Sequence, residues 1–229
     1  MSLDETALVE AVRSGVPDVR AVLVAGSWAR GEADPSSDID VVAVWNASER
    51  ALRVGVFQGR LTEVLYLPAA ALDRRPIQRA TLRGARILWD PDHVAAERLA
   101  RVASVLAKPP PPDPTQAAYG RWDLAQSLRT MAWLAGHDPA SLLLMRGRFV
   151  EELLAHVFRA ESVWPPTLRR QLPVLADRRP DAYRLICACL EAVEPDAIVQ
   201  RAEEAFAALV AGDPPRELGS APLLPLPSA

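Results

Sequence analysis

The sequence predicts an α+β protein in which a mixed β-sheet with flanking helices is followed by an all-α helical bundle. Three observations predict it. Period-2 and continuous apolar runs, the marks of strands, are confined to the first ninety or so of the 229 residues. From about residue 115 onward only helical periodicity remains. Between the two lies Lys108-Pro109-Pro110-Pro111-Pro112-Asp113-Pro114, whose four consecutive prolines cannot continue a helix and instead form a stiff, extended connector. The expected organisation is a sheet domain over 1–108, a Pro-rich linker over 109–114, a bundle over 115–211 and a Pro-rich tail over 212–229.

Each element has a local cause. Asp4 precedes an amphipathic stretch with Leu8, Val9 and Val12 apolar, which gives a short helix ending at Gly15. Val19 to Ala25 is an apolar, β-branched run and reads as a buried strand. Gly26-Ser27 breaks it, and a new helix begins at Ser27. A second buried strand carries Asp38 and Asp40 and continues to Trp45. Val54 to Phe57, a Gln58-Gly59 turn and Arg60 to Leu67 read as a β-hairpin. In its second arm Leu61, Glu63, Leu65 and Leu67 share one face, while Thr62, Val64 and Tyr66 share the other. Pro68 to Arg75 reads as a short proline-started helix. The following arginines, Arg74, Arg75, Arg79, Arg83 and Arg86, read as a solvated helix face. Arg86 to Asp90 is a last strand, and Val94 to Ala107 a helix. Beyond the linker, helices are expected over 115–136, 139–161, 167–176, 181–193 and 195–210. Their short connections favour antiparallel neighbours.

The chemistry concentrates between Val22 and Trp45. Asp38 and Asp40 bracket Ile39, and residues two apart on a strand point the same way. Two carboxylates on one face repel, and a divalent metal neutralises them best. Gly26-Ser27 ends the preceding strand, where a small residue admits close backbone approach and a helix start favours anions. A phosphate cradle beside metal-binding carboxylates reads as phosphoryl or nucleotidyl transfer. Arg30 has two readings, a phosphate contact or a pairing with Glu32 or Asp34. Trp28 reads as a packing residue. Glu63 is a charge within an apolar stripe. It is either a solvated edge residue or a third carboxylate facing Asp38 and Asp40, and the cost of an unpaired buried charge favours the second.

The run Gly26-Ser27, Arg30-Gly31 and Ser37-Asp38-Ile39-Asp40 followed by an apolar strand resembles the signature of the DNA polymerase β-type nucleotidyltransferase superfamily. Weaker similarity runs toward the aminoglycoside (kanamycin-type) nucleotidyltransferases. The resemblance implies a polymerase β-like domain and two Mg²⁺ ions held by Asp38, Asp40 and Glu63. It also implies a nucleotide, ATP or another NTP, bound by Gly26, Ser27, Arg30, Ser37 and, from the bundle, Arg148. Glu63 fills the slot of the family's third acid, as metal ligand or as base. In such families the acceptor binds between the domain and a following bundle. Arg146, Glu151 and Glu152 are further candidates there, and Trp164-Pro165-Pro166 with Arg169-Arg170 resembles a motif of these relatives. The implied reaction moves a nucleoside monophosphate, AMP from ATP first, onto a hydroxyl of a small-molecule acceptor such as an aminoglycoside. Two alternatives stay open: an antitoxin-type enzyme that nucleotidylates a protein or tRNA, and a non-catalytic nucleotide sensor.

Bulk properties narrow the partners. The net charge is −3 and the sequence pI about 5.7, which argues against stable nucleic-acid binding. Lys108 is the only lysine, so the arginine bias is global and reads first as composition. Cys187 and Cys189 lie two apart in a helical pattern and read as reduced core residues. With three histidines, a structural zinc is not expected. No apolar stretch of spanning length and no leader at Met1 are found, so a cytoplasmic location without a membrane partner is expected. The oligomeric state stays open, a homodimer included.

Overall fold

The computed structural model describes residues 2–72 and 82–210. Arg74, Arg75, Arg79, the end of the helix expected over 68–75 and the tail expected over 212–229 lie outside the described residues. Two compact units divide the chain, Met1–Lys108 and Pro109–Ala229.

In the N-terminal unit, α1 (Glu5–Ser14) is capped by Asp4, whose carboxylate accepts from the Ala7 N–H at 3.0 Å. The strands are β1 (Val19–Val24), β2 (Ile39–Trp45), β3 (Ala51–Phe57), β4 (Arg60–Pro68) and β5 (Arg86–Trp89). They form one sheet in the order β3-β4-β2-β1-β5. β2 and β4 run parallel and the other pairs antiparallel, so the sheet is mixed. The expected hairpin is present, with positive φ at both Gln58 and Gly59 as its two-residue turn demands. Within the described part of the proline-started helix expected over Pro68 to Arg75, Ala69–Ala71 form a 3₁₀ turn.

Both faces of the central strands are covered, which is why β1 and β2 read as continuous apolar runs rather than alternating ones. On one face Val22, Ile39, Val41, Val64 and Tyr66 pack with Leu8, Val9 and Val12 of α1. On the other, Ala21, Leu23, Val42, Val44 and Leu67 pack with Leu82, Ala95 and Val102. Val102 belongs to α3 (Ala96–Leu106). The start of α3 is held by Asp90, whose carboxylate accepts from the N–H groups of Val94, Ala95 and Ala96 at 2.9–3.0 Å.

The C-terminal unit is helical throughout its described elements. It contains α4 (Pro114–Ala135), α5 (Pro139–Ala160), α6 (Leu168–Arg178), α7 (Pro180–Glu191) and α8 (Pro195–Leu209). Pro114, expected in the linker, is instead the first residue of α4, where its missing N–H has no helical partner to lose. Asp113 and Asp138 cap α4 and α5, accepting from Gln116 N and Ser141 N. α4 and α5 form a hairpin across Gly136-His137-Asp138. Leu124, Met131, Phe149, Leu153, Ile186 and Ala202 share their core with α7 and α8. Cys189 lies in that core, and burial pushes its thiol up to about 11. Both cysteines are free.

Candidate active site

The end of β1 stays tied to the start of β2, since the Ala25 N–H donates to the Asp40 carbonyl at 2.8 Å. The chain then turns sharply into the one-turn helix α2 (Gly26–Arg30). Gly26 has φ of +60°, a conformation that costs an L-residue about 1–2 kcal/mol. A Cβ placed there would stand 1.9 Å from Asp40 Oδ2. Glycine is therefore dictated twice, by the backbone and by the carboxylate leaning over it.

The loop that delivers Asp38 is clamped from within and from outside. Asp34 accepts from the Ser36 N–H and hydroxyl at 2.8 and 2.7 Å, and the Asp34 N–H donates to the Ser37 hydroxyl at 2.9 Å. Arg60, the first residue of β4, donates to the carbonyls of Asp34, Pro35 and Ser37 at 3.0–3.2 Å. Its guanidinium also stands 5.2 Å over the Trp28 ring. Sequence reasoning missed Arg60. The available signal was its place directly after the Gln58-Gly59 turn, at the end of β4 that lies beside the start of β2.

Asp40 and Glu63 are direct partners across the parallel β2–β4 pair, so they share a face, and Asp38 lies just ahead of β2. Burial raises the Asp40 carboxyl above the ordinary range, and the charges of Asp38 and then Glu63 raise it further, with Arg30 opposing. The three acids are thus within electrostatic reach of one another. The reasoning that a buried charge needs a partner does not apply to Glu63, because Glu63 is exposed. The apolar stripe around it exists, but its neighbours Leu52, Val54, Val56 and Leu61 are each more than half exposed. On this face of β4 burial begins only at Leu65 and Leu67, whereas Thr62, Val64 and Tyr66 on the opposite face are buried on the α1 side.

Hard divalent cations take carboxylate oxygens. Among the described residues no side chain hydrogen-bonds or pairs with Asp38, Asp40 or Glu63, so their oxygens are free to ligate. Among the described residues, equally, no three His, Cys, Asp or Glu side chains already stand as a set that could hold an ion. The donor chemistry and the raised Asp40 carboxyl fit a divalent cation. The acids are neighbours rather than a closed cage.

The remaining candidates divide. Ser27 lies in the first turn of α2, next to Gly26. Arg30 takes the pairing reading, with Nε 2.9 Å from Glu32, while it still acts on the charge of Asp40. Gly84 packs against Arg30, and a Cβ there would stand 3.1 Å from Arg30 Cγ. Burial, and then Arg30, lower Arg83, so this arginine stands near the site rather than on a solvated helix face. Ser37 is 4% exposed and its hydroxyl is engaged with the loop backbone, so it shapes the approach to Asp38. Trp28 packs against the α1 side of the sheet, as expected. Arg148 belongs to the C-terminal unit. It bonds Glu152 at 2.7 Å and pairs with Asp123 at 3.4 Å, carboxylates that any phosphate would have to displace. Arg146 donates to the Ala192 carbonyl at the end of α7, a structural tie.

Residues 6–89 match the family model described as a nucleotidyltransferase domain. No curated protein matches the chain. Among solved structures, a nucleotidyltransferase-like protein from Exiguobacterium sibiricum is similar over 90% of this chain and 73% of that one, with a TM-score of 0.53 and 11% identity. At that identity the likeness shows a shared fold. A chain from a toxin–antitoxin crystallised with AMP-PNP covers 45% of this chain and 86% of its own, at a TM-score of 0.32 and 13% identity, too distant to carry an argument. Among the described residues no helix is long and apolar enough to cross a membrane. The N-terminal unit, with its mixed five-stranded sheet, is a nucleotidyltransferase domain, and the protein is a transferase enzyme of that kind.

Proposed function

We propose that the protein is a Mg²⁺-dependent nucleotidyltransferase that moves a nucleoside monophosphate, AMP from ATP as first candidate, onto a hydroxyl of a small-molecule acceptor. One observation carries this reading. Three acids that pair with no side chain among the described residues, Asp38, Asp40 and Glu63, stand within electrostatic reach, Asp40 and Glu63 on one face of the sheet, and the carboxylate of Asp40 rests on the Gly26 turn. We assign the chemistry to residues 1–108.

Asp38 and Asp40 would hold the two ions, with Glu63 as a third ligand or as the base. When bound, the metal offsets the triphosphate charge and polarises the reacting phosphoryl group. The chain's own groups do the rest. Gly26 and Ser27 present backbone N–H groups to the β- and γ-phosphates. Arg30, with Arg83 close by, supplies positive charge beside the carboxylates. Arg60 and Ser37 keep the 34–37 loop in the conformation that aims Asp38. The acceptor oxygen forms its bond to the α-phosphorus, the α–β phosphoanhydride bond breaks, and pyrophosphate leaves with the electron pair. The acceptor proton passes to a carboxylate or to water. A cationic acceptor of the aminoglycoside kind suits a protein of net charge −3 and agrees with the resemblance of the motif.

The test is incubation with labelled ATP, Mg²⁺ and a panel of aminoglycosides, tRNA and proteins, read by mass shift and pyrophosphate release. Adenylylation of one acceptor class, lost in Asp38→Ala and Asp40→Ala, is the expected result. Full transfer by either variant overturns the assignment.

A further inference from the structure

The C-terminal unit holds a second cluster of uncompensated charge. A cavity of about 300 Å³ lies where the proline run meets the helices, bounded by Pro110, Pro112, Asp113, Arg121, His156 and Arg159. Arg121 comes from α4, while His156 and Arg159 come from the last turns of α5. Among the described residues neither guanidinium makes a hydrogen bond or an ion pair. The guanidinium of Arg159 lies along α4 at Gly120, where an added Cβ would stand 3.2 Å from Nη1. His156 is 8% exposed, and its Nδ1 is buried without a hydrogen-bond partner.

Half-buried cations and a buried, unsatisfied imidazole nitrogen are costly unless something compensates them. Asp113 does so only in part. Its Oδ1 already accepts from the Gln116 N–H as the cap of α4, and it acts on Arg159 through space rather than by contact. Burial, and then the charges of Arg159 and Arg121, hold His156 below its ordinary pKa, so the ring is neutral near pH 7 and keeps one N–H to donate. Two guanidinium forks and a neutral donor around one recess match a tetrahedral dianion better than a monoanion. The proline walls leave room for an apolar substituent on that anion.

We propose that this cavity binds a phosphoryl group, as orthophosphate or as a phosphomonoester, through Arg121, Arg159 and His156. The proposal does not depend on the chemistry assigned to the N-terminal unit.

The full-length protein is titrated with orthophosphate, phenyl phosphate and acetate, followed by calorimetry and by the imidazole proton resonances. The His156 signal is assigned by its loss in His156→Gln. Expected are saturable phosphate binding, a shift of the His156 resonance with a rise in its pKa as the anion offsets the two arginines, and at least tenfold weaker binding in Arg121→Gln and in Arg159→Gln. Phenyl phosphate binding tenfold tighter than orthophosphate points to a phosphomonoester, and equal affinities point to free phosphate. Acetate binding as tightly as phosphate overturns the proposal. So does a His156 resonance that phosphate leaves unmoved, a readout that needs no arginine variant to fold and that ignores phosphate bound elsewhere. Full affinity in the folded arginine variants does the same.

Discussion

Two groups of acids in this chain stand in opposite electrostatic states. In the N-terminal unit no side chain among the described residues hydrogen-bonds or ion-pairs with Asp38, Asp40 or Glu63, and burial and then its two acidic neighbours raise Asp40 against the opposing charge of Arg30. In the C-terminal unit Asp181 and Glu161 share Arg179, and the two hydrogen bonds from Arg179 hold Asp181 well below the usual carboxylate range. The second arrangement ties the end of α5 to the start of α7 and needs nothing more. The first is held in place by glycine, by a clamped loop and by strand pairing, although its charges repel. Repulsion that a fold keeps at some expense to its own stability is the arrangement the proposed metal and nucleotide site calls for.

The comparison breaks most directly at the unpaired acids. Asp38→Ala and Asp40→Ala should each drop nucleotidyl transfer below detection while the far-UV circular dichroism spectrum stays that of the wild type. Gly26→Ala should lower activity and stability together. It costs about 1–2 kcal/mol for the left-handed backbone and also displaces the Asp40 carboxylate, and urea unfolding measures the first effect. Arg60→Ala releases three carbonyls of the 34–37 loop. A loss of about 1–3 kcal/mol, with slower transfer, is the expected outcome.

Smaller effects sharpen the contrast through pH. The Asp40 pKa is raised in the folded state, so its contribution to stability is present below the unfolded pKa and lost as pH rises through the folded one. Asp40→Asn should therefore melt higher than the wild type at pH 7, with the gap closing in acid, although the variant is inactive. Asp181 has a lowered pKa, so its contribution is present above the unfolded pKa and lost as pH falls through the folded one. Asp181→Asn should melt lower at pH 7, and that gap too should close in acid. The Asp40 gap is read by thermal melts between pH 3 and pH 7, and the Asp181 gap, most of which persists at pH 3, by melts carried further into acid. A fall in melting temperature for Asp40→Asn at pH 7 would show that Asp40 is compensated after all.

Much of the N-terminal unit was legible because its signals are local. Apolar runs bounded by Gly26-Ser27 and Gln58-Gly59 fix strand ends and turn type wherever the unit packs. The face shared by Asp40 and Glu63 follows from the two-residue period once β2 and β4 pair in parallel. The exposure of Glu63 was not legible, since an alternating stripe looks the same whether a helix covers it or solvent does. Arg60 escaped notice because its partners are backbone carbonyls about 25 residues earlier, and carbonyls have no sequence signature. The His156 cavity was hidden for a related reason: it joins the proline run to residues more than forty positions later, which only folding brings together.

The sequence by itself determined the α+β order and the glycine turn, because strand period, turn chemistry and proline geometry act over a few residues, whereas the face shared by Asp40 and Glu63 needed the pairing of β2 with β4. Tertiary structure alone decided which charges are neutralised and which are left over. Asp181 meets an arginine where Asp40 meets two other acids, and among the described residues Arg121 and Arg159 face a neutral histidine and an aspartate already engaged as a cap. Compensation of charge depends on distances across the fold, and those are set by packing rather than by neighbours along the chain.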